Sequence, residues 1–249
     1  MSPAMRHVFG IDTAGRLGSI ALAADGTVSS WETLAPGEHS SGITRAAERI
    51  LGERGLVWRD LDGVAVSSGP GSFTGLRIGL AWAKGVCFGL GAKLTLVSAH
   101  EANAYRHRGA ARLIASVLQG ERGEVQATLW SGGADVTRLW GPERVAEGDL
   151  AATLSAAAGA SAPATIAIAG PDLGLDLRRS LDDAGFVLPP REPTLGSAGE
   201  NGESGEALQP TAAAVAVLGY RALLAGGALD LVLAAPSYGR APNARKPAR

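Results

Sequence analysis

Two short stretches of this 249-residue chain bring together residue types that do chemistry. Asp12-Thr13 closes the apolar run Val8–Ile11 with a carboxylate beside a hydroxyl. Such a pair can meet a metal-bound phosphate, or it can exchange hydrogen bonds with nearby backbone. The second stretch is Gly69-Pro70-Gly71-Ser72-Phe73-Thr74-Gly75-Leu76-Arg77-Ile78-Gly79, which joins the apolar run Val64–Val66 to a small-residue helix. Pro70 fixes its own φ, and Gly69 and Gly71 can take angles denied to residues with a Cβ, so the chain reverses within a few residues. Ser72 or Thr74 can then cap a helix whose first turn presents N–H groups and partial positive charge, with Arg77 one turn on. That end can hold an anion, or it can be only a well-built β-α turn.

Other chemistries find little support. The histidines His7, His39, His100 and His107 include no pair at i, i+4, and none lies beside a cysteine or a carboxylate pair, so no metal motif is present. His39-Ser40-Ser41 suggests a base and a nucleophile, but neighbours on a helix point to different faces, and capping of the helix that starts there is the better reading. No G-x-S-x-G turn supports a serine hydrolase. Cys87 is the single cysteine, which excludes an internal disulfide and suits a buried small hydrophobe.

The elements that position these residues read as follows. Short strands at 8–11, 19–23 and 27–31 are separated by turns at Ala14-Gly15 and Asp25-Gly26, the latter a strong hairpin signal. A helix over 39–54 places Ile43, Ala46, Ala47, Ile50 and Leu51 on one face. Strand 64–67, a helix over 73–90 and strand 94–97 follow. In that helix Gly75, Gly79 and Ala83 recur at i, i+4, i+8, and Gly85 and Gly89 repeat the spacing, although each helical glycine costs about 1 kcal/mol relative to alanine. A close approach by another helix or backbone must compensate. Ser98-x-x-Glu101 has the capping-box pattern, so a helix should run from there to Tyr105 with His100 exposed in its first turn. Strands 113–118 and 125–130 around the turn Gly120–Gly123 repeat the opening plan. Helix 149–158, strand 165–169, helix 173–184 and helix 211–224 complete the chain. Residues 191–206 read as a loop and 242–249 as a basic tail.

The formal net charge is −1, without the basic bias of a protein that grips nucleic acid by its phosphates. Hydrophobic residues make up 46% of the chain, ample for a core in one large domain or two small ones. The apolar stretch 212–236 is interrupted by Arg221, Gly226, Gly227 and Asp230, which argues against a membrane span. Residues 1–6 lack the cationic-then-apolar order of a signal peptide, so a cytoplasmic protein is expected.

The string GPGSFTGLRIG, with Phe9-Gly10-Ile11-Asp12-Thr13, His39-Ser40 and the closing Ala235-Pro236-Ser237-Tyr238-Gly239-Arg240, resembles the bacterial TsaB (YeaZ) family. The resemblance implies the actin-like ATPase (ribonuclease H-like) α/β fold. That fold has two duplicated halves, each a mixed sheet led by a β-hairpin and flanked by helices, here expected at 1–109 and 110–240 with a tail at 241–249. It also implies a non-catalytic subunit that binds TsaD, the enzyme that completes threonylcarbamoyladenosine beside the tRNA anticodon, with TsaE in a larger complex and tRNA met only indirectly. Helices 39–54 and 73–90 would pair with the equivalent helices of TsaD, through His39, Ile43, Phe73, Gly75, Leu76, Arg77, Gly79, Leu80, Trp82 and Ala83. Asp12 and Thr13 would stand where that fold places its first phosphate loop. The matching second turn, Gln119-Gly120-Glu121-Arg122, lacks the aspartate the family usually carries. No cofactor of its own is therefore expected, with ATP or ADP and Mg at the level of the complex, and no peptidase activity. Two alternatives stand beside this: an ATPase or small-molecule kinase using Asp12 and the 69–77 turn, and a homodimeric scaffold.

Overall fold

Alternating runs of apolar residues and turn residues build two sheets of related plan. The computed structural model describes residues 5–35, 37–38, 40–120, 123–159, 165–170, 173–188 and 209–237. Strands β1 (His7–Asp12), β2 (Gly18–Ala24) and β3 (Thr27–Leu34) form an antiparallel meander, to which β4 (Gly63–Ser67) and β5 (Lys93–Val97) add in parallel in the order β3-β2-β1-β4-β5. Asp25 and Gly26, with φ of 50° and 81°, supply the two left-handed positions of a tight hairpin turn. In the second sheet β6 (Leu113–Gln119), β7 (Glu124–Ser131), β8 (Thr137–Ala146) and β9 (Ile166–Ala169) take the order β8-β7-β6-β9, with β9 parallel to β6. This is the β3-β2-β1-β4 pattern over again, and the internal duplication expected from the two hairpins is therefore real. Strand β8 is not evident in the sequence. Gly141-Pro142 and two register shifts against β7 break the two-residue period that marks a strand.

Helices α1 (Ser41–Glu53) and α2 (Phe73–Leu90) cover one face of the first sheet. Ile43, Ala46, Ala47 and Ile50 of α1 and Leu80, Ala83 and Cys87 of α2 pack there with Phe9, Ile11, Ile20, Leu22, Val64 and Val66. Helix α3 (Ala99–Arg106) lies against β6, while α4 (Leu150–Ala158) and α5 (Leu175–Asp183) cover the far face of the second sheet around Leu150, Leu154, Leu177 and Leu181. The last helix, α6 (Thr211–Leu224), returns to the first sheet and crosses β1, β2, β4 and β5. A Cβ on Gly10 would fall 2.2 Å from the Ala216 nitrogen of α6, so the missing side chain sets how closely helix and strand approach.

The division into 1–109 and 110–240 therefore needs correction at its C-terminal end. Residues 211–237 complete the first half: the Thr95 hydroxyl donates to the Gly227 carbonyl at 3.0 Å, Leu229 N–H to Leu94 at 2.8 Å, and Ser237 N–H to Ser68 at 2.7 Å. The first sheet has an apolar face that only a returning helix can bury. The expected loop at 191–206 and the tail lie outside the described residues. No helix among the described residues is long and apolar enough to cross a membrane.

Candidate functional site

Asp12 and Thr13 end β1, and both are buried, with 8% and 1% of their surface exposed. The Asp12 carboxylate accepts the Ala14 N–H at 2.9 Å, and the Thr13 hydroxyl donates to the Gly75 carbonyl at 2.8 Å. Burial raises the Asp12 pKa above the usual carboxylate value, against the opposing pull of the Ala14 amide, Ser67, Arg106 and Thr211. The Gly69–Gly75 turn closes directly on this loop. Ser72 N–H donates to the Ala14 carbonyl at 2.8 Å, and the Ser72 hydroxyl caps α2 by accepting Gly75 N–H at 3.2 Å. Gly69 has a φ of +97°, which a residue with a Cβ rarely adopts.

That closure decides the role of the glycine stripe. A Cβ on Gly75 would lie 1.9 Å from the Thr13 carbonyl oxygen, and one on Gly79 would lie 2.4 Å from the Thr13 hydroxyl. Gly75, Gly79 and Ala83 face the chain's own first strand, and Leu76, Leu80 and Ile43 are buried with them. None of these six residues is on the surface, so the expectation that they form a partner face is corrected: the close approach they permit is internal. Phe73 and Arg77 are exposed, with the Arg77 guanidinium 3.8 Å from the centre of the Phe73 ring, and Trp82 is half-buried. His39 lies outside the described residues. Ser40 is the N-cap position of α1, but its side chain makes no capping bond.

The outward face of α2 carries Phe73, Thr74, Arg77, Ala81, Gly85, Phe88 and Gly89. Phe88 is 84% exposed, and a Cβ on Gly85 or Gly89 would meet nothing within 4 Å among the described residues. Gly85 and Gly89 repeat the four-residue spacing of the inner stripe, but the step from Ala83 to Gly85 turns the helix by about 200°, so the second pair lands on the opposite side. Helical phase, rather than spacing alone, would have found them. Trp82 ties the two helices together: its Nε1–H donates to the Thr44 hydroxyl of α1 at 2.9 Å, and its ring sits 6.2 Å from that of Trp58.

His100 is not exposed, as a first-turn residue was expected to be. It is 3% exposed because the first turn of α3 packs on the second sheet. Its Nδ1 lies 3.1 Å from the Ser116 hydroxyl and 3.3 Å from that of Thr128. Asn103 donates to both the Ser116 hydroxyl and the Ala169 carbonyl, at 3.1 and 2.8 Å, and Trp130 Nε1–H donates to Thr128 at 2.8 Å. Burial pushes the His100 imidazole down to about 4, and burial followed by the nearby Arg106 charge does the same to His107. Burial likewise pushes the Cys87 thiol up to about 11, which makes it unreactive.

Asp12 and Thr13 do not fit a metal-bound nucleotide as they stand. The carboxylate is buried and accepts the Ala14 amide, the hydroxyl is committed to Gly75, and the second-half turn offers Gln119 and Gly120, with Glu121 and Arg122 outside the described residues. No cluster of histidine, cysteine or carboxylates suited to a metal occurs among the described residues.

Two sheets that share a four-strand order, bridged by α3 and α6, define an α/β protein of the actin-like architecture. Residues 33–167 match the family model described as TsaD: tRNA N6-adenosine threonylcarbamoyltransferase, and the chain belongs to that family, where it aligns with the TsaB (YeaZ) proteins. It is 37% identical over 116 residues to the Escherichia coli tRNA threonylcarbamoyladenosine biosynthesis protein TsaB, covering 45% of this chain and 49% of that one. It is 31% identical over 124 residues to the Bacillus subtilis protein of the same name, covering 49% and 54%. The chain thus spans about half the length of these curated relatives. A Pseudomonas aeruginosa structure described as similar to peptidase YeaZ superposes with a TM-score of 0.72 at 20% identity, over 95% of this chain and 100% of the other.

Proposed function

We propose that this protein is the non-catalytic partner subunit of a TsaD enzyme in tRNA threonylcarbamoyladenosine synthesis. The observation that carries the reading is the outward face of α2. Phe73, Phe88 and the open glycines Gly85 and Gly89 leave an apolar, close-approach surface beside α1, and the chain belongs to the family of the enzyme it would bind. Bulky apolar anchors among small residues are what a helix-on-helix contact needs. On this reading α1 and α2 dock on the equivalent helices of TsaD, with Phe73, Arg77 and Trp82 retained from the expected contact set and Ala81, Gly85, Phe88 and Gly89 added to it.

TsaE joins a larger assembly, tRNA meets this subunit only through its partners, and the setting is the cytoplasm. Any ATP or ADP with Mg belongs to the assembled complex, because Asp12 and Thr13 are closed in this chain. The same helix face can also pair with itself, so a homodimer of the isolated chain competes for one surface. The closed loop disfavours a stand-alone ATPase or kinase, and no peptidase activity is expected.

The test is to mix the purified chain with TsaD from the same genome, measure complex mass by light scattering, and assay threonylcarbamoyl transfer to tRNA with and without this subunit. A one-to-one complex with transfer that needs both proteins is the expected result. No complex, together with nucleotide turnover by this chain alone, would overturn the reading in favour of an enzyme.

A further inference from the structure

A second feature lies away from the α2 face. A cavity of about 510 Å³ runs beside α6, lined by the apolar Val28, Ala213, Ala214 and Val217 and by Tyr105, Arg106, Arg108 and Arg221. Three guanidinium groups line one space in a chain whose net charge is −1, and no carboxylate is among the described residues lining it. The arginines are organised around one ring: the Arg108 guanidinium lies 4.0 Å and that of Arg221 5.2 Å from the centre of Tyr105. Arg108 also donates to the Tyr105 carbonyl at 2.8 Å, and Arg221 to the Tyr105 hydroxyl at 3.2 Å. Arg221 is further paired with Asp135, which is not among the lining residues. Stacking and hydrogen bonding fix the planes of both forks before any ligand arrives, which lowers the ordering cost of binding.

We propose that this cavity binds a phosphate group carried on a larger body, a free nucleotide on the reading that tRNA meets this subunit only through its partners; binding of an RNA backbone here would instead make that contact direct. Planar, always-charged guanidinium forks match phosphate oxygens bidentately. The volume lies within the range of small-molecule sites, and Val28, Ala213, Ala214 and Val217 in the lining offer a base or sugar apolar contact. Phosphate binding itself does not rest on the partner reading above. A chain that fails to bind TsaD can still bind phosphate here, and the reverse.

The test titrates the full chain by calorimetry with pyrophosphate, with adenosine monophosphate and with a single-stranded RNA 12-mer, at low and at physiological salt. The variants are Arg108→Gln, Arg221→Gln and the exposed control Arg59→Gln, each checked by thermal melting. Binding weakened about tenfold by either cavity change and unaltered by the control is the expected result. Arg108→Lys, which keeps the charge and loses the fork, should fall between. Tighter binding of adenosine monophosphate than of pyrophosphate assigns the cavity to a nucleotide, whereas a preference for the 12-mer with a steep salt dependence assigns it to RNA. The proposal is overturned if none of the three probes binds, or if the Arg59 change weakens binding as much as the cavity changes do.

Discussion

The Thr13 hydroxyl donates to the Gly75 carbonyl at 2.8 Å, and a Cβ on Gly75 would lie 1.9 Å from the Thr13 carbonyl oxygen. The first loop and the first turn of α2 are therefore one packed unit. Substituting Gly79 with leucine should unfold the chain rather than spare the fold and block only a partner, because the added atoms would meet Thr13, Val66 and Ile11. Gly75→Ala should cost about 3 kcal/mol or more, since backbone and not a flexible side chain stands in the way. Urea denaturation of both variants checks this; an unchanged midpoint for Gly75→Ala would refute the packing.

Gly85 gives the opposite expectation. Nothing among the described residues lies within 4 Å of a Cβ built there, so Gly85→Leu should keep the fold and gain up to about 1 kcal/mol in helix propensity. The same leucine would stand between α2 and a docked helix. Light scattering with TsaD should then show separate proteins where the unaltered chain shows a complex, with the melting temperature equal or higher. A complex of undiminished affinity would place the contact elsewhere.

The contrast between these two glycines shows where the sequence was legible. The hairpins, the glycine helix and the duplicated plan could be read because turn chemistry and periodicity are local. Asp25-Gly26 declares its turn, and Ser72 its cap. Which face of α2 points outward could not be read from spacing alone, since Gly75, Gly79, Gly85 and Gly89 look alike until the helix is laid on Thr13. His100 failed as an exposed residue for the same reason: its burial comes from β6 and β7, strands that follow it in the chain and are brought over it only by the fold. The return of α6 to the first sheet is likewise a tertiary fact, visible in the sequence only as the small residues Ala212–Ala214, Ala216 and Gly219.

His100 and His107 make the fold sensitive to acid. Both have folded pKa values of about 4, below the unfolded value of about 6.5. Between those limits the unfolded chain binds more protons, so stability is fully present above about pH 6.5 and falls as pH drops toward 4, by up to about 3 kcal/mol for each histidine. Asp12, whose pKa is raised, acts with the opposite sign and softens the fall. Chemical denaturation at pH 7.5 and pH 5 should show the loss. Replacing His100 with glutamine, which cannot charge, should reduce the slope. An equal slope in the variant would mean that His100 is solvated.

Asn103 is the point at which α3 is fastened to the second sheet. Its side-chain nitrogen donates to the Ser116 hydroxyl of β6 and to the Ala169 carbonyl at the end of β9, and all three groups are buried. Asn103→Ala would leave that carbonyl without this donor and remove one partner of a hydroxyl that also meets His100. Stranding buried polar groups costs about 1–3 kcal/mol each, more than the net worth of the bonds themselves. Because α3 packs on α6 as well as on β6, the loss should be felt by both sheets. Thermal unfolding followed by tryptophan fluorescence should therefore shift as a single transition, with Trp130 in the second sheet and Trp82, on the helix that covers the first, reporting together. Two separate transitions in the variant would show that the halves fold independently and that Asn103 fastens only one of them.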